Sequence, residues 1–76
     1  MSAIARKLDA RGMNCPLPIL RTRKALEQIS SGEQLEVTAT DPGSIKDMES
    51  FCTQTGNRLV SSSETANNFI FVIEKT

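Results

Sequence analysis

Hydrophobic and polar residues alternate most cleanly over positions 34–40, where Leu35, Val37 and Ala39 share one side. A period of two belongs to a strand with one buried face. Residues 68–74 repeat the pattern in a more apolar form, and residues 3–8 and 58–63 carry it in shorter runs. Elsewhere the period lengthens. Over residues 16–30, Ile19, Thr22, Ala25, Leu26 and Ile29 gather on one side at about 100° per residue, the spacing of an amphipathic helix, and Ser31-Gly32 supplies its stop. Leu17, Leu20 and Lys24 fall nearly opposite, with Arg21 beside them. A second helix opens at Asp41-Pro42, with Asp41 as cap and Pro42 in the first helical position. It runs to about Thr55, buries a stripe of Ile45, Met48, Phe51, Cys52 and Thr55, and is closed by Gly56-Asn57.

The element order is β-α-β-α-β-β in one domain of 76 residues. Each strand–helix–strand connection is expected to cross over with the right hand, which puts both helices on the same face of one sheet. The expected fold class is α/β, a two-layer sandwich with a four-stranded mixed sheet and two helices on one face. The other sheet face is left poorly covered. Phe69 and Phe71 are expected to face the helices. No internal repeat or linker divides the chain, and Ser61-Ser62-Ser63 is too short to act as one.

The junction at residues 13–20, MNCPLPIL, sets a thiol ahead of two prolines at a helix start. The first four N–H groups of a helix have no partner within it, so prolines at the first and third helical positions forfeit nothing. This frame places Cys15 at the N-cap, with Pro16 and Pro18 inside the first turn and the Leu17 N–H as the donor left for sulfur. A free cysteine is only about 3% ionised at neutral pH, and the thiolate is the nucleophile. A helix-end interaction of roughly 0.5–1.5 kcal/mol lowers the thiol pKa by about half to one unit, giving about 10–30% thiolate. Arg11 adds to this if the loop folds it back. The bland alternative is a small apolar residue tucked under the helix end. Cys52, within a core stripe, reads as a packed structural thiol, with a resolving role for Cys15 as the lesser alternative.

Composition narrows the chemistry. With 38% hydrophobic and 24% charged residues the chain resembles an ordinary globular domain, and no apolar run approaches a membrane span. The opening residues lack the apolar core of an export signal, so a reducing cytoplasm with free thiols is expected in preference to a Cys15–Cys52 disulfide. The absence of histidine excludes a Cys–His hydrolase and, with only two cysteines, a four-ligand zinc site. There is no C-x-x-C pair and no glycine-rich phosphate loop. Net charge is zero but uneven: residues 1–24 carry Arg6, Lys7, Arg11, Arg21, Arg23 and Lys24 against Asp9 alone, a net +5, and the remainder carries −5. The thiol therefore lies in the basic third of the chain. One exposed thiolate with no base of its own suits attack on an activated sulfur, or its acceptance.

Residues 8–18, LDARGMNCPLP, resemble the signature of the TusA-like sulfur-carrier family, in which the cysteine of a Cys-Pro-x-Pro motif carries a persulfide. Residues 40–47 resemble that family's second-helix start, Phe51-Cys52 matches many members, and residues 69–75 resemble its last strand. Met13 stands where leucine is commoner. The resemblance implies the same two-layer sandwich, with Cys15 as sulfur acceptor, Pro16 and Pro18 as its frame, and Asp9 and Gly12 as shapers of the loop. It implies a sulfurtransferase that acts as a carrier and needs no resident cofactor. A pyridoxal-phosphate cysteine desulfurase is the implied donor and a downstream sulfur-relay protein the acceptor, on the way to 2-thiouridine in tRNA, or in sulfur oxidation or molybdenum-cofactor supply. Leu17, Leu20, Arg21 and Lys24, with Arg11, form the expected docking patch beside the thiol.

Two rivals belong to other classes. A nucleic-acid-binding module would stack bases on Phe69 and Phe71 across the open sheet, but three phenylalanines and zero net charge make a thin platform. A regulatory interaction domain without chemistry is the other. No membrane contact and no direct nucleic-acid contact are expected.

Overall fold

In the computed structural model, which describes residues 4–14 and 16–76, the elements run β1 (Ile4–Ala10), α1 (Leu17–Leu26), β2 (Gln34–Ala39), α2 (Ser44–Thr55), β3 (Arg58–Thr65) and β4 (Asn68–Glu74). The sheet order is β1-β2-β4-β3, with β1 parallel to β2 and the other two pairings antiparallel. The order and the mixed sheet are those anticipated. Register places Leu8 opposite Val37 and Ala10 opposite Ala39, and places Leu35, Val37 and Ala39 opposite Ile73, Phe71 and Phe69. These side chains share one sheet face, because the period is two.

The helices cover that face. Leu35, Val37, Ala39, Met48, Phe71 and Ile73 are wholly buried, joined by Ala25, Leu26, Ile29, Phe51 and Cys52. Phe69 and Phe71 therefore face the helices, and a base-stacking platform on the open sheet face has lost its aromatics. That face carries Glu36, Thr38, Ile70 and Val72, all half-buried. No helix among the described residues is long and apolar enough to cross a membrane.

Several boundaries differ from the sequence reading, each for a physical reason. β1 continues past residue 8 to Ala10, since its pairing with β2 runs to Ala39 and Ala10 is fully buried. In α1 the regular helix stops at Leu26, not residue 30. The next turn tightens, with the Gln28 N–H donating to the Ala25 carbonyl and the Ile29 N–H to the Leu26 carbonyl. That tightening drops Ile29 onto the core. Lys75 then secures the exit, donating from Nζ to the Ile29 carbonyl at 2.8 Å. The stripe on α1 also shifts: Ile19 is only half-buried, and Pro18, expected merely to frame the helix start, is fully buried.

The second helix begins at Ser44, and Asp41-Pro42 forms a turn ahead of it. Asp41 Oδ1 accepts the Gly43 N–H at 3.1 Å, while the Asp41 carbonyl accepts both the Ser44 N–H and its hydroxyl. A short polar side chain that bonds two residues onward builds a turn rather than a helical cap. The end of α2 is as expected: Gly56 takes φ +79 and its N–H donates to the Cys52 carbonyl. Thr55, placed in the core stripe by periodicity, is exposed, its hydroxyl turned back on the Phe51 carbonyl. β3 extends to Thr65 and meets β4 through a two-residue turn, Ala66-Asn67, both at positive φ.

Candidate functional site

The chain crosses from β1 to α1 between residues 11 and 16, at the carboxyl end of two parallel strands. Cys15, the expected acceptor, lies outside the described residues, as does any pairing with Cys52. The frame on either side of it is defined.

Three contacts fix the approach. Arg11 donates to Asp9 from its backbone N–H (3.1 Å) and Nε (2.9 Å) onto Oδ1, and from Nη2 onto Oδ2 (3.0 Å). These bonds, side-chain first, hold the Asp9 carboxyl down at about 2 and raise the Arg11 guanidinium. Gly12 follows at φ +80, and its N–H donates to Thr40 Oγ1 at 2.9 Å. A side chain at that φ is strained, and glycine is not. The Met13 N–H then returns to the Ala10 carbonyl at 3.3 Å, and the Met13 side chain packs against the core. Asp9 and Gly12 thus shape the loop. Arg11 is committed to Asp9, so the two side chains form a charge-neutral pair.

The helix start also differs from expectation by one position. Pro16 occupies the flanking cap position and Leu17 the first helical one, so Pro18 is second. The Leu17 N–H, expected to serve sulfur, donates instead to the Asn14 carbonyl at 2.9 Å, and the Leu20 N–H donates to the Pro16 carbonyl. The Leu17 N–H is thus spent on a backbone carbonyl. The first turn of α1 carries no acidic residue, so its positive end is not neutralised from within the helix.

Leu17 and Leu20 are about half exposed, at 48% and 50%, and Arg21 and Lys24 are exposed on the same helix. Two features escaped the sequence reading. Thr40, the last position of an alternating stretch, anchors the loop from a distance of 28 residues. Between the helices an open groove of about 210 Å³ is lined by Pro16, Ile19 and Arg23 on one side and Asp47 and Phe51 on the other, with the Arg23 guanidinium 5.9 Å from the Phe51 ring centre. Neither had a local signal, since each depends on elements distant in sequence. Cys52 is buried among core side chains, and desolvation pushes its thiol up, leaving it a poor nucleophile at neutral pH. No group of acidic, cysteine or histidine side chains among the described residues is arranged to hold a metal ion.

The Asp9–Arg11 clamp has a defined pH window. A carboxyl whose folded pKa is lowered contributes above its ordinary range near 3.8 and loses that contribution as pH falls through about 2. Followed by NMR, Asp9 should titrate near 2, with the Arg11 amide shift constant from neutral pH down to about 4. A midpoint in the ordinary carboxylate range would mean that the clamp does not persist in solution.

The family model described as sulfurtransferase TusA matches residues 6–75. The chain is 53% identical over 76 residues to the sulfur carrier protein TusA of Allochromatium vinosum, covering all of both chains. It is 37% identical over 68 residues to the sulfur carrier protein TusA of Pseudomonas entomophila, covering 90% of this chain and 85% of that one. A crystal structure of a SirA-like protein from Desulfitobacterium hafniense aligns with a TM-score of 0.76 at 26% identity, over 91% of this chain and 93% of the other.

Proposed function

The chain belongs to the TusA family of sulfur carriers, and on that premise we propose that Cys15 receives and holds the transferred sulfur as a persulfide. The observation that carries this reading is the 53% identity, over the whole of both chains, to a named sulfur carrier in a chain with one Cys-Pro-Leu-Pro sequence at a helix start. The Cys15 thiolate attacks the outer sulfur of a donor persulfide. A new S–S bond forms at Cys15, the donor's own S–S bond breaks, and the donor's inner sulfur leaves as a thiolate. No external oxidant or reductant is consumed. Delivery repeats the step, with an acceptor thiolate attacking the outer sulfur on Cys15.

The chain's own contribution is modest activation and access. The positive end of α1, whose first turn holds no acidic residue, favours the thiolate, and the loop fixed by Asp9, Gly12 and Thr40 sets the approach. Buried Cys52 takes no part. In this reading a pyridoxal-phosphate cysteine desulfurase is the donor and a sulfur-relay protein the acceptor, with tRNA thiolation, sulfur oxidation and molybdenum-cofactor supply all open as the pathway served. The protein is a co-substrate of those enzymes, and the sulfur is cargo bound covalently rather than a resident cofactor. Incubation with a desulfurase and cysteine should give a sulfur adduct that a thiol reductant removes. A protein that takes up no sulfur would refute the reading.

Contact with the partner is made through α1. Leu17 and Leu20 supply a small apolar centre, and Arg21 and Lys24 supply a charged rim, the composition of a weak, short-lived interface. Arg11 contributes only as half of its ion pair with Asp9. Leu20→Glu is expected to slow loading by the desulfurase about tenfold without unfolding the domain, because a charge on the contact surface opposes docking and leaves the core untouched. Loading rates against donor concentration, with a thermal melt of each protein, check this. Wild-type rates for Leu20→Glu would place the contact elsewhere, over the Asp9–Asn14 loop.

A further inference from the structure

Five of the nine basic residues have a partner in the structure. Lys7 lies 3.9 Å from Glu36 and Arg58 lies 4.0 Å from Glu74, Arg11 is clamped to Asp9, Lys75 bonds the Ile29 carbonyl, and Arg23 lies over Phe51. Among the described residues, Arg6, Arg21, Lys24 and Lys46 have none. Three of those four, Arg6, Arg21 and Lys24, line one open cleft of about 180 Å³ between β1 and α1, and no acidic residue lines it.

The convergence comes from the register. Arg6 pairs with Leu35, so it stands on the same sheet face as Leu8 and Ala10, where the pattern of the strand otherwise calls for an apolar residue. That face puts it beside α1, on which Arg21 and Lys24 are neighbours three residues apart. Like charges brought together without a counter-charge repel. Such an arrangement lowers the stability of the isolated domain and is relieved by an anion from outside.

We infer that this cleft binds an acidic segment of the protein that exchanges sulfur with Cys15. The inference deepens the carrier reading and rests on it for the identity of the partner. The cleft itself indicates a carboxylate-bearing occupant. Its lining, completed by Leu8, Ala25 and Gln28, holds no aromatic ring on which a base would stack. Its three cations form a compact cluster rather than a track along a phosphate backbone, and residues 25–76 carry a net −5 that repels an extended polyanion. Arg21 and Lys24 stand one and two turns along α1 from Leu17, so a segment held there belongs to a protein already docked at the start of the helix. The added attraction acts on the rate of encounter and on orientation.

Hexaglutamate titrated into the isotope-labelled protein at low salt supplies the test, with a single-stranded thymidine decamer as the comparison. Expected are amide shifts centred on Arg6, Arg21, Lys24 and Gln28, with binding lost at high salt. Arg6→Glu with Lys24→Glu should weaken binding at least about tenfold, and Arg6→Gln with Lys24→Gln should weaken it less. Both variants should melt at or slightly above the wild-type temperature, because each relieves the repulsion within the cluster. Because Arg6 lies off the Leu17–Leu20 surface, Arg6→Glu alone should slow desulfurase loading about threefold at low salt and leave it unchanged at high salt. Shifts centred elsewhere, unaltered peptide binding by the variants, or tighter binding of the decamer would overturn the inference. A wild-type protein that binds hexaglutamate at this cleft and takes up no sulfur would overturn the carrier reading and the partner's identity, but not the acid-binding cleft.

Discussion

Cys15→Ser is expected to abolish sulfur loading, by at least about a thousandfold, in a domain that remains folded. A serine hydroxyl is not ionised near neutral pH and does not form the S–S bond on which transfer depends. The substitution changes one atom. The start of α1 is held by contacts that do not involve that atom, the Leu17 N–H on the Asn14 carbonyl and the Leu20 N–H on the Pro16 carbonyl. Cys52→Ala should do the reverse. It removes a buried sulfur from beside Met48 and Phe51 in the core, at a cost of about 1 kcal/mol, and leaves loading at the wild-type rate. Loading and thermal melts of the two variants separate these roles. Lost transfer in a folded Cys52→Ala protein would mean that two thiols cooperate.

Phe71→Ala should produce the largest loss of stability. Phe71 is wholly buried, opposite Val37 in the central pair of strands and beneath the helices. Truncating a buried phenylalanine costs about 3–5 kcal/mol, and a small domain has only about 5 kcal/mol or little more to lose. The midpoint of thermal unfolding should fall by more than about 12 °C, to the edge of folding at physiological temperature. The same substitution separates the two orientations of β4. On an open face, as a base-stacking residue, Phe71 would be replaceable at almost no cost to stability.

The strands were legible because their apolar residues alternate. Leu35, Val37 and Ala39 announce one buried face, and β4 repeats it with Phe69, Phe71 and Ile73, so layer and face follow from a period of two. Helix limits were less legible, because they depend on bonds that periodicity does not encode. Ile29 continues the α1 stripe in sequence, yet reaches the core through a tightened turn after the helix has ended. Asp41 has the composition of a cap and instead closes a turn on Gly43. At the site, the thiol and its prolines stand out in eight residues, and the surroundings do not. Thr40 approaches Gly12 because β1 and β2 are parallel neighbours, and Arg6 meets Lys24 because the β1 register turns it toward α1. The cap was misassigned by one residue for a similar reason: the Leu17 N–H finds a backbone carbonyl three residues back, which competes successfully with a side chain.

Peptide-resolved mass spectrometry after incubation with a cysteine desulfurase and cysteine tests most directly whether Cys15 is the sulfur carrier. An added mass of about 32 Da, one sulfur atom, should map to the peptide containing Cys15, disappear on thiol reduction and be absent from Cys15→Ser. The peptide containing Cys52 should remain unmodified, as its buried and desolvated thiol requires. Sulfur found on Cys52, or retained by Cys15→Ser, would contradict the assignment of transfer to a single thiol at the start of α1.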